Sequence, residues 1–203
     1  MKKYLLLLFP FGLASCVSMS SVQTARTLPA AETQQSFGGG VYNSTMKVGE
    51  TDVETNLPYL EYSYRRGFTD KFDAGLKLTF IGAYSADGKY QFYADDKWAF
   101  SAGAGLGYMS YKVTAGNNEE DVKFLDLMLP LYLSYDVSPS FSIYTSPKFI
   151  SRQISGASSK SEGITGLTLG TKIGEKSGVY AEATLIKGQD SQTMTQYNLS
   201  YFW

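Results

Sequence analysis

The chain contains no histidine and a single cysteine, Cys16. The absence of histidine removes the commonest general base and the commonest metal ligand. One cysteine excludes any disulfide within the chain. A net charge of -1 offers no basic field to nucleic acid, so no nucleic-acid partner is expected. After residue 16 no apolar run reaches the ~18 residues of a transmembrane helix. What the chain has in abundance is 16 tyrosines, 12 phenylalanines and 20 glycines, a composition that favours strands and turns over helices.

Lys2 and Lys3 precede a short apolar core from Tyr4 to Leu13, followed by the small residues Ala14 and Ser15. This is the layout of a secretory signal over residues 1–15. Residues 16–35 are rich in Ser, Thr, Gln and Ala and read as a flexible tether. The segment Leu13-Ala14-Ser15-Cys16 resembles the lipobox of bacterial lipoproteins. That resemblance implies cleavage before Cys16, a diacylglycerol on its thiol and acylation of the new amine. It also implies contact with the lipoprotein-sorting machinery. Val17 follows where the enteric inner-membrane retention signal has aspartate, which implies delivery to the outer membrane. The plainer reading of Cys16 is a free cysteine near an ordinary cleavage site.

From Ser36 to Trp203 the apolar period is two. Leu60, Tyr62 and Tyr64 alternate with polar neighbours, as do Phe72 to Phe80, Trp98 to Tyr108, Leu125 to Tyr135, Leu167 to Ile173, Val179 to Leu185 and Tyr197 to Trp203. Such alternation is the signal of half-buried strands. The expected fold is all-β: an antiparallel up-and-down transmembrane barrel over 36–203, with about ten strands (8 to 12 allowed). The strands fall near 36–46, 56–68, 71–84, 88–95, 97–113, 122–136, 140–154, 163–174, 178–187 and 194–203. Short turns at 69–70, 95–97, 138–139 and 174–177 alternate with polar stretches at 47–55, 114–121, 155–162 and 188–193, expected as longer loops. Pro130 falls inside a strand, where a bulge or kink is expected.

Alternation alone does not say which face meets what. Three features favour a bilayer. Most strands reach the 9–11 residues a bilayer needs, against ~5–6 in soluble sheets. Aromatics gather at stripe ends: Trp98, Phe100 and Tyr108, Tyr135 and Phe141, Phe68 and Phe72. The other face carries charge inside strands, at Glu61, Arg65, Lys77, Asp126, Lys148, Lys172 and Glu182. A Lys or Arg at the bilayer midplane costs roughly 2–4 kcal/mol, so these side chains are expected to face the lumen and pair there. The last strand, with Tyr197, Leu199, Tyr201 and Trp203, resembles the C-terminal insertion signal of bacterial outer-membrane barrels. That resemblance implies the outer membrane, its lipid and the barrel-assembly machinery as surroundings of a monomer. An even strand number puts both ends on the periplasmic side.

No catalytic constellation emerges. Outer-membrane lipid-modifying enzymes pair histidine with serine, which this chain cannot do, so no enzyme is expected. Glu119-Glu120-Asp121 with Asn117 and Asn118 offers oxygen ligands without calcium-loop spacing, and reads as a solvated loop. Gly38-Gly39-Gly40 and the row Gly103, Gly105, Gly107 precede no helix and are not phosphate cradles; they allow bending or leave room for Tyr132 and Tyr144. No metal or cofactor is expected. The expected function is a structural or surface-exposed barrel, or a narrow pore. The alternative is a lipid-anchored, lipocalin-like soluble barrel that binds an apolar ligand, and the direction of Leu125 to Leu133 separates the two.

Overall fold

Alternating residues become one continuous antiparallel ladder in the computed structural model, which describes residues 19–48, 51–115, 118–156, 159–188 and 193–203. The ladder has ten strands: β1 (33–48), β2 (51–69), β3 (72–79), β4 (83–94), β5 (98–115), β6 (118–138), β7 (141–155), β8 (160–174), β9 (178–187) and β10 (193–202). Each pairs with its sequence neighbours, and β1 pairs with β10 to close the barrel. The seam runs from Ser36↔Phe202 to Ser44↔Met194. Gln35 and Trp203 exchange two backbone hydrogen bonds of 3.0 Å at its lower edge. The last strand therefore completes the wall and leaves no edge open to another chain.

The apolar stripe faces outward. Leu125, Leu127, Leu129 and Leu131 are 44–54 % exposed, whereas Phe124, Asp126 and Pro130 between them are buried. Tyr197, Leu199, Tyr201 and Trp203 also point out from β10. Serine, threonine and charged residues line the interior. This is the inverse of a soluble barrel, where the aliphatic face turns in.

The connections at 70–71, 95–97, 139–140 and 175–177 define the near end, where an aromatic cluster gathers. Trp98 packs on Tyr135 at 4.7 Å and on Phe100 at 6.3 Å, and Tyr201 stacks on Trp203 at 5.9 Å. At the far end the expected loops are corrected. β1 continues to Val48 and β2 begins at Thr51; β5 continues to Ala115 and β6 begins at Asn118. These polar stretches are hairpin arms. Charged and hydroxyl residues dilute the apolar stripe in these sequences, although backbone pairing continues. Glu119-Glu120-Asp121 accordingly starts β6, opposite Lys112 to Thr114. Asn117 lies outside the described residues.

Two further corrections concern local chemistry. The β3–β4 connection lies at 80–82 and not at 85–87. Gly82 takes φ +88, which a residue without a side chain adopts freely, and its N–H donates to the Thr79 carbonyl at 2.9 Å. Around Pro130 the pairing skips Leu129 and Pro130 toward β5 and Leu131 and Tyr132 toward β7, without shifting either register. Register shifts occur instead at the near end, at Gly67/Thr69, Gln91/Tyr93 and Asp136/Ser138.

The main departure is the stretch before β1. The barrel wall starts at Thr33, three residues earlier than expected. Residues 19–28, expected as part of a free tether, thread back through the lumen, and 29–32 turn on the exposed near-end rim. Residues 19–25 are buried there. Cys16, Val17 and the signal residues 1–15 lie outside the described residues.

Candidate functional site

The lumen and its occupant form the site. The segment descends from Met19, packed in an apolar cluster with Tyr42, Tyr59, Ile150, Ile164, Ile186 and Met194, to Arg26 at the near end. Val22 lies midway, against Tyr144, Tyr180 and Phe202. Ala25 sits between Ala99 and Tyr132. Beyond Arg26 the chain turns at Pro29 to Glu32, where the Glu32 N–H donates to the Pro29 carbonyl at 3.1 Å, and rises as β1. Both ends of the barrel wall are thus at the near end, as an even strand number requires, but the chain before β1 runs toward the far end.

Each expected lumen charge faces inward, and most meet the segment or partners that sequence reasoning did not name. Glu182, on β9, accepts from the N–H groups of Ser21 (2.9 Å) and Val22 (2.6 Å) and from the Tyr144 hydroxyl (2.6 Å). Val22 takes φ 48, a left-handed conformation that is strained for a β-branched residue. Two successive N–H groups aimed at one carboxylate are what holds it there. Glu61, on β2, accepts from the Ser20 hydroxyl at 2.7 Å and from the Asn198 amide at 2.8 Å, with Lys77 at 3.9 Å. The lysines turn to main-chain carbonyls: Lys148 to Met19 (2.6 Å), Lys77 to Ser20 (2.6 Å), and Lys89 to Thr24 and Arg26 (2.8 Å each). A buried ammonium needs such partners, because an unpaired charge away from water is costly.

The expected pairings are corrected on several points. Arg65 bonds Asp73 and Asp87, and Lys89 lies 3.5 Å from Asp73. One edge of Arg152, its Nε and a terminal nitrogen, donates to both oxygens of Asp126, at 2.8 and 2.6 Å. Lys172 stays near the near-end mouth, 5.1 Å over the Phe202 ring, with its ammonium 3.4 Å from the Glu175 carbonyl. Asp73 and Lys89 were findable, since both occupy the inward parity of their strands. Arg152 was hidden because Ile150, two residues before it, is apolar and also points inward.

Small residues make space for the bulky ones. A Cβ on Gly170 would lie 2.4 Å from the Tyr144 ring, and one on Gly103 would lie 3.2 Å from Tyr132. Tyr144 and Tyr132 are the phenols that meet Glu182 and Gln23 respectively. The room for Tyr144 thus comes from Gly170 and not from the row at 103–107. Beside the segment remains a cavity of about 60 Å³, bordered by Arg65, Lys77, Asp87 and Lys148. It has room for a few waters.

At the near-end mouth, Arg26 bonds the Asp136 carboxylate and the Asp95 carbonyl. The Asp95 carboxylate accepts from the N–H groups of Trp98 (2.7 Å) and Lys97 (2.8 Å) and from the Tyr93 hydroxyl. The Trp98 bond first, and these others with it, hold the Asp95 carboxyl down to about 2.

The comparisons with solved structures bear on the architecture. The outer membrane protease OmpT of Escherichia coli is similar, with a TM-score of 0.51 at 9% identity, over 88% of this chain and 98% of that one. The translocator domain of autotransporter NalP from Neisseria meningitidis is similar at TM-score 0.50 and 8% identity, over 100% and 97%. The fold is that of bacterial outer-membrane β-barrels. At these identities the likeness extends to the fold alone, and what those proteins do is theirs. No protein-family model matches the chain, and no curated protein matches it in sequence.

Proposed function

We propose that this protein is a bacterial outer-membrane β-barrel kept closed by its own N-terminal segment. It serves as a structural, surface-exposed barrel and conducts little while the segment is seated. One observation carries the reading: a closed barrel has its leucine stripe outside and its charges inside, and that interior is filled by residues 19–28. The apolar exterior supports a bilayer as the surroundings. It also speaks against the lipocalin-like alternative, because Leu125 to Leu131 point away from any interior ligand. The near end, with its short connections and aromatic cluster, is the periplasmic end in this reading.

Lipid at Cys16 is part of the proposal as a second attachment, since the barrel itself is the stronger anchor. No catalysis is part of the proposal. The test is fractionation of Cys16→Ser cells on a density gradient with alkaline washing of the outer-membrane fraction. Retention with heat-modifiable gel mobility is expected. Release into the soluble fraction would return Cys16 to the role of sole anchor and remove the transmembrane reading.

A further inference from the structure

The wall grips the segment's main chain at many points, beside hydrogen bonds to the side chains of Ser20, Ser21, Gln23 and Arg26. The carbonyls of Met19, Ser20, Thr24, Ala25 and Arg26 accept from Lys148, Lys77, Lys89 and Ser101. The N–H groups of Ser21, Val22, Thr27 and Leu28 donate to Glu182, Gln91 and Asp73. The wall residues come from β3, β4, β5, β7 and β9, so the main chain is gripped from around the barrel. Where side chains of the segment are enclosed, several are small: Ser20, Ser21 and Ala25. Ala25 is fully buried in a cluster with Ala99 and Tyr132.

We infer that the lumen is a binding site for an extended polypeptide, recognised through its main chain, with residues 19–28 as the occupant in cis. Its ligand class is a peptide with small side chains at the positions of Ser20, Ser21 and Ala25. Lysine and serine donors, and carboxylate and amide acceptors, spaced to match carbonyls and N–H groups are indifferent to most side chains. The strained Val22 is consistent with an occupant that can be exchanged, because leaving the site relieves it. This inference rests on the closed-barrel reading, and its test is separate from the conductance of the intact chain.

The experiment uses the full chain with a protease site inserted after Ala30, on the exposed near-end rim, so that the barrel folds around its segment before the segment is cut free. A fluorescent peptide of residues 19–28 is then offered to the cut barrel in detergent. Uptake at one peptide per barrel, competed by unlabelled peptide, is expected. Replacing Thr24 of the peptide by alanine should change affinity by less than about tenfold. Methylating the Ser21 and Val22 nitrogens should weaken it by about 100-fold or more, since buried donors to a charged partner are lost. Equal binding of the methylated peptide, loss of binding on alanine replacement, or failure of any peptide to exchange into the cut barrel would overturn the inference. A second form, lacking residues 19–28, repeats the assay without relying on release of the cut piece.

Discussion

Glu182→Gln is the most informative single substitution. The carboxylate is buried and accepts three hydrogen bonds, from Ser21 N–H, Val22 N–H and Tyr144 O–H, at 2.9, 2.6 and 2.6 Å. Glutamine keeps one acceptor oxygen and places an NH₂ where one N–H was received. One buried donor is then unsatisfied, at about 1–3 kcal/mol, and the other bonds lose the strengthening of a full charge. A loss of about 3 kcal/mol from the seating of the segment follows, or roughly 100-fold in the unseated population. Relief of the Val22 backbone on unseating pushes the same way. Amide hydrogen exchange in detergent-refolded protein reads this directly. Ser21 and Val22 should exchange about 100-fold faster in the variant, while Leu167 and Leu185, paired across β8 and β9, stay slow. Unchanged exchange at Ser21 and Val22 would refute the reasoning. So would equal acceleration everywhere, which would mean that the segment and wall unfold as one unit.

Gly170→Ala puts a Cβ 2.4 Å from the Tyr144 ring, so that ring must move and its bond to Glu182 must lengthen. A destabilisation of about 1–3 kcal/mol is expected in urea unfolding, with the loss concentrated in segment exchange. Arg152→Ala leaves the fully buried Asp126 carboxylate without its two-point partner; about 3–5 kcal/mol of barrel stability should go, again read by urea unfolding in detergent. The Asp95 carboxyl sits below its ordinary value, so its contribution is present above pH 4 and is lost as pH falls through about 2. Following the Trp98 amide by NMR against pH should give a midpoint near 2, and a midpoint near 4 would contradict the turn geometry.

The barrel was legible because half of each strand has a single kind of surroundings. Leu125 to Tyr135 and Trp98 to Tyr108 carry the period-two signal where one face is uniformly apolar, and strand number and closure followed from it. The stretches at 47–55 and 114–121 were expected as loops because charged and hydroxyl residues dilute the apolar stripe there, whereas β1 runs to Val48, β2 from Thr51, β5 to Ala115 and β6 from Asn118. The β3–β4 turn was placed at 85–87 instead of beside Gly82, since Ser85-Ala86-Asp87 before Gly88 also suits a turn and only the pairing of Ala83 to Gly88 with β3 decides. The lumen charges were legible by parity. Their partners were not, because a segment of serine, threonine and glutamine has no periodicity, and its burial comes from cations and carboxylates more than 40 residues away. Composition alone describes such a stretch as a tether. What orders it is the need of Glu61, Lys77, Lys89, Lys148 and Glu182 for partners inside a closed wall.

Single-channel recording in planar bilayers tests the central claim most directly. The full chain, refolded and inserted, should show no steady conductance beyond rare brief openings, and the chain lacking residues 19–28 should show stable channels. Equal, stable conductance from the full chain would contradict a barrel closed by its own N-terminal segment.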